Sequence, residues 1–232
     1  MKTMTIKESI ALMRQAENIT FLTGAGVSTP SGIPDYRSLQ GVYQGMTAPE
    51  YLLSHTALIQ EPAKFYEFVQ LLYHPDAKPN VIHQKMAAFE KRKPTRIVTQ
   101  NIDGLHSKAG SQQLVEFHGS LYHCHCRKCR LPVSWQDYLI SDVHENCGGQ
   151  IRLEVVLYEE GFQEAVIENA LQAVASADLI VIVGTTFQVH PFCDLINGKT
   201  QQKVLAINQT PLGHPLIDYF YQGAAEELFK QV

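Results

Sequence analysis

The chain is poor in charge. Asp, Glu, Lys and Arg make up 18% of its 232 residues, with 19 basic side chains against 23 acidic ones and a net charge of −4. The pI is about 6.2. No basic field for a nucleic-acid backbone follows from such a balance, so a polyphosphate ligand would be held by local amides and a few placed side chains. Long hydrophobic runs are missing too. The longest, Leu179 to Val183, falls far short of the about 20 residues a helix needs to cross a bilayer. The opening MKTMTIKESI has no apolar core of signal-peptide length. These absences predict a cytoplasmic protein engaged with neither membrane nor nucleic acid. Cysteine is scarce and odd in number, five in all. In the expected compartment they read as metal ligands or free thiols rather than disulfides.

What is present suits one large domain with a small insert. Apolar residues make up 45%, typical of a soluble globular protein. Hydrophobic spacing predicts a helix over 5–17, with Ile6, Ile10, Met13 and Ala16 on one face. A strand, ITFLT, follows. Residues 28–45, rich in Gly, Ser, Pro and Tyr, read as a long ordered loop of the kind that is often functional. Helical segments are expected over about 48–73 and 80–91, broken at Pro62 and Pro75. The cluster Lys91-Arg92-Lys93 reads as a solvated helix end. Strands are expected at 96–99, 178–184 and 203–207, a β-rich run at 151–158, and helices at 161–176 and 226–230. Strands alternating with helices predict an α/β fold with a doubly wound parallel sheet. Residues 120–150 hold four of the five cysteines, several histidines and the only tryptophan, and read as a small inserted module.

Each of the four main strands runs into small or polar residues: GAGVS, QNIDG, Gly184-Thr185-Thr186 and Asn208-Gln209. In an open parallel sheet the ligand sits outside the carboxyl ends of the strands, and glycine turns with exposed amides and a helix N-terminus accept phosphate. Any one such segment is equally an ordinary strand-to-helix turn; four together point to a nucleotide crevice. A hydride-transfer dehydrogenase is disfavoured. Thr29 stands where its third glycine belongs, and Glu50 is poorly placed for the acidic residue about 20 positions on.

GAGVS, Gly32-Ile33-Pro34-Asp35-Tyr36-Arg37-Ser38, Thr99-Gln100-Asn101-Ile102-Asp103-Gly104-Leu105-His106, His118-Gly119 and VVLYEE occur in this order. The set resembles the sirtuin (Sir2) family of NAD-dependent protein-lysine deacylases, from roughly residue 8 to 228, and looks most like the shorter sirtuins of Gram-positive bacteria. The resemblance implies a Rossmann-like doubly wound parallel sheet over 1–119 and 151–232. It also implies a zinc-ribbon-like small domain over 120–150, joined by a helical insert within about 36–80. NAD would be consumed rather than reduced: the acyl oxygen attacks the ribose carbon, nicotinamide leaves, and a histidine-activated ribose hydroxyl carries the acyl group to O-acyl-ADP-ribose.

Carried over residue by residue, His118 matches the catalytic base, a role an imidazole fills near neutral pH. Asn101 and Asp103 match residues that position the nicotinamide ribose and carboxamide. Cofactor contacts are implied for Gly24, Ala25, Gly26, Thr29, Asp35, Tyr36, Arg37, Gln100 and Ile102, and on the adenosine side for Gly184, Thr185, Thr186, Asn208 and Gln209. Val155, Val156 and Leu157 match the strand that pairs with the acyl-lysine peptide. Tyr36 stands for a usual phenylalanine, Thr186 for a serine, and Leu153 for a proline, which could alter how the substrate strand is presented.

For zinc, Cys126-x-x-Cys129 and Cys147 match three ligands, while the fourth cysteine is missing. His144 would complete a Cys3His set; Cys124 is the other candidate. The competing reading is a module that has lost its metal and is held by Val133, Trp135 and Leu139. Desuccinylating sirtuins carry a Tyr-x-x-Arg pair after the cofactor loop. Here FYEFVQLLYH (65–74) has no arginine, which predicts a neutral acyl pocket. Two rival functions stand beside deacylation: mono-ADP-ribosyl transfer or NAD hydrolysis on the same scaffold, and a non-catalytic NAD-sensing module. A monomer acting on acyl-lysine proteins is expected.

Overall fold

The computed structural model describes residues 1–34 and 49–232. Among these residues, ten strands form two sheets. They are β1 Lys2–Thr3, β2 Ile19–Thr23, β3 Thr95–Thr99, β4 Leu114–Glu116, β5 Gly119–Cys126, β6 Pro132–Val133, β7 Ile151–Val155, β8 Leu179–Val183, β9 Lys203–Asn208 and β10 Tyr219–Gln222. The large sheet has the order β1-β10-β9-β8-β2-β3-β4, and every neighbouring pair in it is parallel. Chain order runs outward from β2 to β3 and β4 on one side, and from β8 to β9 and β10 on the other. The topology therefore reverses between β2 and β8, as in a doubly wound sheet.

Alternation along the strands builds a core on each face. Leu22, Val98, Ile180, Ile182 and Val204 point to one side, onto Ala170, Ala173 and Val174 of the helix Glu164–Ala175. Their neighbours Phe21, Ile97, Val181, Val183 and Leu205 point to the other. There they meet Ile10 and Met13 of helix Ile6–Gln15, Ile82, Met86 and Phe89 of helix Val81–Glu90, and Phe229 of helix Ala225–Phe229. Each large side chain so buried contributes about 1.5–3 kcal/mol. Both faces of β2 and β8 are covered, which explains why all five residues of each are buried and why β8 is apolar throughout.

Local signals set the helix ends. Thr5 and Glu8 form a capping box at the start of Ile6–Gln15. Lys93, expected on a solvated helix end, instead crosses to the far end of that helix. Its ammonium donates to the carbonyls of Met13, Arg14 and Ala16, which the helix itself leaves unpaired. The helix expected from 161 begins only at Glu164. Strands β1, β4 and β10, short and toward the two sheet edges, escaped the sequence reading altogether.

The second sheet, order β6-β5-β7, is antiparallel. It runs from Gly119 to Val155, past both ends of the 120–150 module. Its buried face (Leu121, Cys124, Ile151, Leu153, Val155) packs on helices His55–Gln60 and Pro62–Leu72 through Ala57, Leu58, Phe65, Phe68 and Val69. A polar clasp joins the same parts. Arg152 Nη1 donates to Glu160 Oε1 at 2.8 Å, His55 Nδ1 meets that oxygen at 3.0 Å, and the Leu157 N–H donates to Oε2 at 3.1 Å. Glu159 accepts from the Thr56 N–H and hydroxyl at 2.9 and 2.7 Å, at a helix N-terminus where negative charge is favoured. No described helix is long and apolar enough to cross a membrane.

Burial works to raise the Glu160 carboxyl, but Arg152, His55 and the Leu157 amide outweigh it and hold the pKa down to about 2. A depressed carboxylate stabilises the fold above its unfolded pKa, near 4.5, and that contribution disappears as pH falls toward 2. Arg152→Ala is therefore expected to cost about 1–3 kcal/mol at pH 7. Urea unfolding of variant and parent should show the gap narrowing through that acidic window.

Candidate active site

The carboxyl ends of β2, β3, β8 and β9 lie side by side, and two glycine turns meet at the point of reversal. The Gly26 N–H donates to the Gly184 carbonyl at 2.8 Å. A Cβ on Gly26 would lie 2.8 Å from Gly184 Cα, and one on Gly184, whose φ is +62°, would lie 2.7 Å from the Val27 nitrogen. Only glycine fits either position. Among the described residues no α-helix opens directly behind the turn, in keeping with the loop expected there. Ala25–Val27 and Thr29–Ser31 are successive 3-10 turns, and the Thr29 hydroxyl closes back on the Gly26 carbonyl at 3.2 Å.

Gln100 ties three strand ends together. Its N–H donates to the Thr23 carbonyl, and its side-chain oxygen accepts from the Thr185 hydroxyl at 2.8 Å. Its own carbonyl lies 2.9 Å from His118 Nδ1. A carbonyl only accepts, so Nδ1 carries the proton and Nε2 keeps its lone pair. His118 lies against Phe117 and Phe162, with ring centroids at 5.6 Å from each. Burial in this setting pushes the imidazole pKa below its ordinary value, against a smaller opposing pull from the Gln100 carbonyl. Gly119, φ +80°, lets β5 leave the site: a Cβ there would sit 1.9 Å from the Glu154 carbonyl oxygen.

Asn101 and Asp103 share a buried polar knot with Ser28. The Ser28 hydroxyl donates to Asp103 Oδ2 at 2.6 Å and lies 3.1 Å from Asn101 Nδ2, which also reaches the Gly24 carbonyl. Asp103 Oδ1 accepts from the Leu105 N–H. Burial raises the Asp103 carboxyl even so. Behind the knot stand two residues the sequence reading assigned no role. His83 Nε2 lies 3.5 Å from Ser28 Oγ, and His106 Nε2 lies 3.1 Å from Thr23 Oγ1. The two rings meet edge to face at 4.8 Å. Burial depresses both pKa values, so the rings are neutral spacers rather than charges. His106 ends the TQNIDGLH segment and was within reach of sequence reasoning; His83, mid-helix, gave no signal.

Thr186 and Gly184 are half-buried at the end of β8. Asn208, at the end of β9, is held by the Thr210 carbonyl at 2.9 Å, with Gln209 exposed beside it. Ile102 packs on the third core. Asp35, Tyr36 and Arg37 lie outside the described residues. On the other side, β7 pairs with β5 on one edge only, and no described strand covers its outer edge. The Val156 N–H donates to the His118 carbonyl at 2.9 Å, so the strand is fastened directly to His118. Leu157 is buried. Leu153 is fully buried opposite Cys124; its side chain fills the core.

The metal expectation resolves in favour of one ligand set. Donor atoms of Cys126, Cys129, His144 and Cys147 all lie within 4.8 Å of one another. Cys126 Sγ is 3.4 Å from Cys147 Sγ, and His144 Nδ1 lies 3.4 and 3.3 Å from Cys129 and Cys147 Sγ. That is the chemistry and near the spacing of a tetrahedral Cys3His zinc site. Cys124, the other candidate, is excluded: its thiol faces the third core, bonds the Leu121 carbonyl and contacts the Tyr73 hydroxyl. Burial pushes it up to about 11, the reverse of a metal thiolate. Purified protein is expected to hold one zinc. His144→Ala should lower its zinc affinity and melting temperature while Cys124→Ser leaves zinc content unchanged, as elemental analysis and thermal melts will show.

With this geometry in hand, comparisons with known proteins are informative. A Sir2 family model matches residues 24–191. An NAD-dependent protein deacetylase of Enterococcus faecalis is 61% identical, over 100% of this chain and 98% of that protein. One from Listeria monocytogenes is 53% identical, over 95% and 97%. A sirtuin solved in work on substrate affinity superposes with a TM-score of 0.88 at 27% identity, covering 98% of each chain. Sir2 with a p53 peptide and NAD+ superposes with a TM-score of 0.86 at 27% identity, covering 99% of this chain and 97% of that one. Glycine contact, imidazole and Cys3His cluster sit on a chain that these relatives and solved structures span almost end to end, and the chain belongs to the Sir2 family.

Proposed function

We propose that this chain is an NAD-dependent protein-lysine deacylase. The observation that carries the reading is His118. Its Nδ1 proton is tied to the Gln100 carbonyl, its Nε2 lone pair is free, and it is fastened through its own backbone to the open strand β7. When bound, NAD supplies an electrophilic ribose carbon with nicotinamide as leaving group. The glycine turns at 24–26 and 184 leave room for a dinucleotide backbone, with Thr29, Gln100, Thr185, Thr186, Asn208 and Gln209 around them. Asn101 and Asp103, rigidly held through Ser28, orient the nicotinamide end. His118 Nε2 takes a hydroxyl proton, which frees that oxygen to receive the acyl group. The neutral base needs no preceding deprotonation near pH 7.

The outer edge of β7 and the residues after it, at Val155, Val156 and Leu157, receive the substrate as an added strand, by the main-chain groups not already held by His118, Glu160 and Arg152. Recognition through backbone fits a chain without a strong surface charge. Cys126, Cys129, His144 and Cys147 would hold zinc as a structural ion, far in role from the proton transfer. Residues 49–72 and 119–155, which share a core, act as a small domain against the parallel sheet. A cytoplasmic monomer is the accompanying expectation. Asp103, Asn101 and His118 together favour deacylation over NAD hydrolysis or NAD sensing, because only deacylation uses a base next to a peptide-binding edge.

Nicotinamide release from NAD should depend on an acetyl-lysine peptide and yield O-acetyl-ADP-ribose by mass. His118→Ala should slow product formation roughly 10²–10⁴-fold. Release without peptide would assign hydrolysis or ADP-ribosyl transfer instead. Since burial lowers the His118 pKa in the free chain, the acid limb of the kcat/KM profile should fall below the 6.5 of an ordinary imidazole. The helix Pro62–Leu72 and the two residues after it carry no arginine. A neutral acyl pocket follows, and acetyl or longer apolar groups should be removed faster than succinyl; the reverse order would sink that part of the reading.

A further inference from the structure

Beyond β8 the chain turns through His190 and Pro191 into a short 3-10 helix, Phe192–Ile196. Three side chains of different chemistry converge there. His190 Nδ1 lies 2.6 Å from Asp194 Oδ2 and 3.5 Å from Cys193 Sγ. All three donor atoms fall within 4.8 Å of one another. A hydrogen bond from Nδ1 to the carboxylate accounts for His190 and Asp194 but leaves a thiol on the same nitrogen unexplained. One Nδ1 proton serves one acceptor well, and the carboxylate takes it.

The spacing has a counterpart in the same molecule. Cys129 Sγ and His144 Nδ1, in the Cys3His cluster, are 3.4 Å apart. A tetrahedral ion with bonds of about 2.3 Å to sulfur and 2.0 Å to nitrogen holds the two about 3.5 Å apart. The carboxylate is oriented as well: Asn197 Nδ2 donates to Asp194 Oδ1 at 2.9 Å, which leaves Oδ2 turned to the imidazole. Cys193 is buried while the His190 side chain is 73% exposed, so the cluster has a sulfur floor and a mouth open to solvent.

We propose that His190, Cys193 and Asp194 form a second, open metal site that takes a borderline divalent ion of the zinc class, water completing the coordination. Binding sends the Cys193 thiol proton to solvent and moves the imidazole proton from Nδ1 to Nε2. The site is distinct from the closed Cys3His cluster, sharing no residue with it. It also lies next to the reaction: Phe192, between two of the ligands, packs edge to face on Phe117 at 5.3 Å, and its ring is 6.5 Å from that of His118. The inference does not rest on the deacylase reading.

The test is a titration of the purified full chain with Co2+ alone, followed by absorption and by zinc analysis. One further equivalent is expected, with a thiolate-to-cobalt charge-transfer band and no loss of zinc. Cys193→Ser should remove the band. His190→Gln and Asp194→Asn, at positions with side chains 73% and 43% exposed and so harmless to folding, should each weaken binding roughly 10-fold or more. No ion beyond zinc, a band that grows only as zinc is displaced, or undiminished binding in His190→Gln would each overturn the assignment.

Discussion

Everything in the site depends on two glycines in contact. Gly26 and Gly184 close the gap where the parallel sheet reverses direction, and a hydrogen bond joins them. The reversal leaves a crevice because the connections from β2 and β8 depart to opposite sides. Side chains at these two positions would force the turns apart by the width of a methyl group, and with them the ends of both strands. Gln100 then extends the arrangement to β3, bonding Thr23 and Thr185 with its amide and side chain and His118 with its carbonyl. One residue thus couples the sheet's geometry to the tautomer of His118.

The same economy governs the join between the two sheets. His118 and Gly119 are consecutive, yet one belongs to the nucleotide crevice and the other begins β5. The left-handed backbone at Gly119 makes the sharp exit, and the Val156 amide returns to the His118 carbonyl. His118 and the open strand edge are therefore joined directly through backbone. The third core and the Arg152–Glu160–His55 clasp hold that strand to helices 55–60 and 62–72. Neutral, buried His83 and His106 support the opposite wall, where a charge would compete with Asp103.

Much of this was legible in the sequence, and the gaps have physical causes. The central strands β2, β8 and β9 were readable because both faces are covered, leaving uninterrupted apolar runs such as LIVIV. Strands β1, β4 and β10, two to four residues each, were not, since so short a stretch carries no period and depends on its neighbour for pairing. Lys93 looked solvated because its partners, the last carbonyls of helix Ile6–Gln15, lie about eighty positions away in the chain. The choice of His144 over Cys124 as fourth metal ligand turned on which way a thiol faces, and spacing alone leaves that open. The motif segments announced Asn101, Asp103 and His118. His83 and the Cys193 cluster stayed silent, because a helix interior and a short loop offer no pattern to read.

The edge of β7 that no described strand covers has a meaning for the acyl-lysine segment proposed to dock there. A strand edge is completed only by another extended segment, with its amides and carbonyls free on one side. A lysine in a helix has already spent those groups on its own turn. On that proposed docking, selection acts on the partner's folding state before any side chain is read: lysines in tails, loops and unravelled ends would be admitted, and the same residue in a well-packed helix refused.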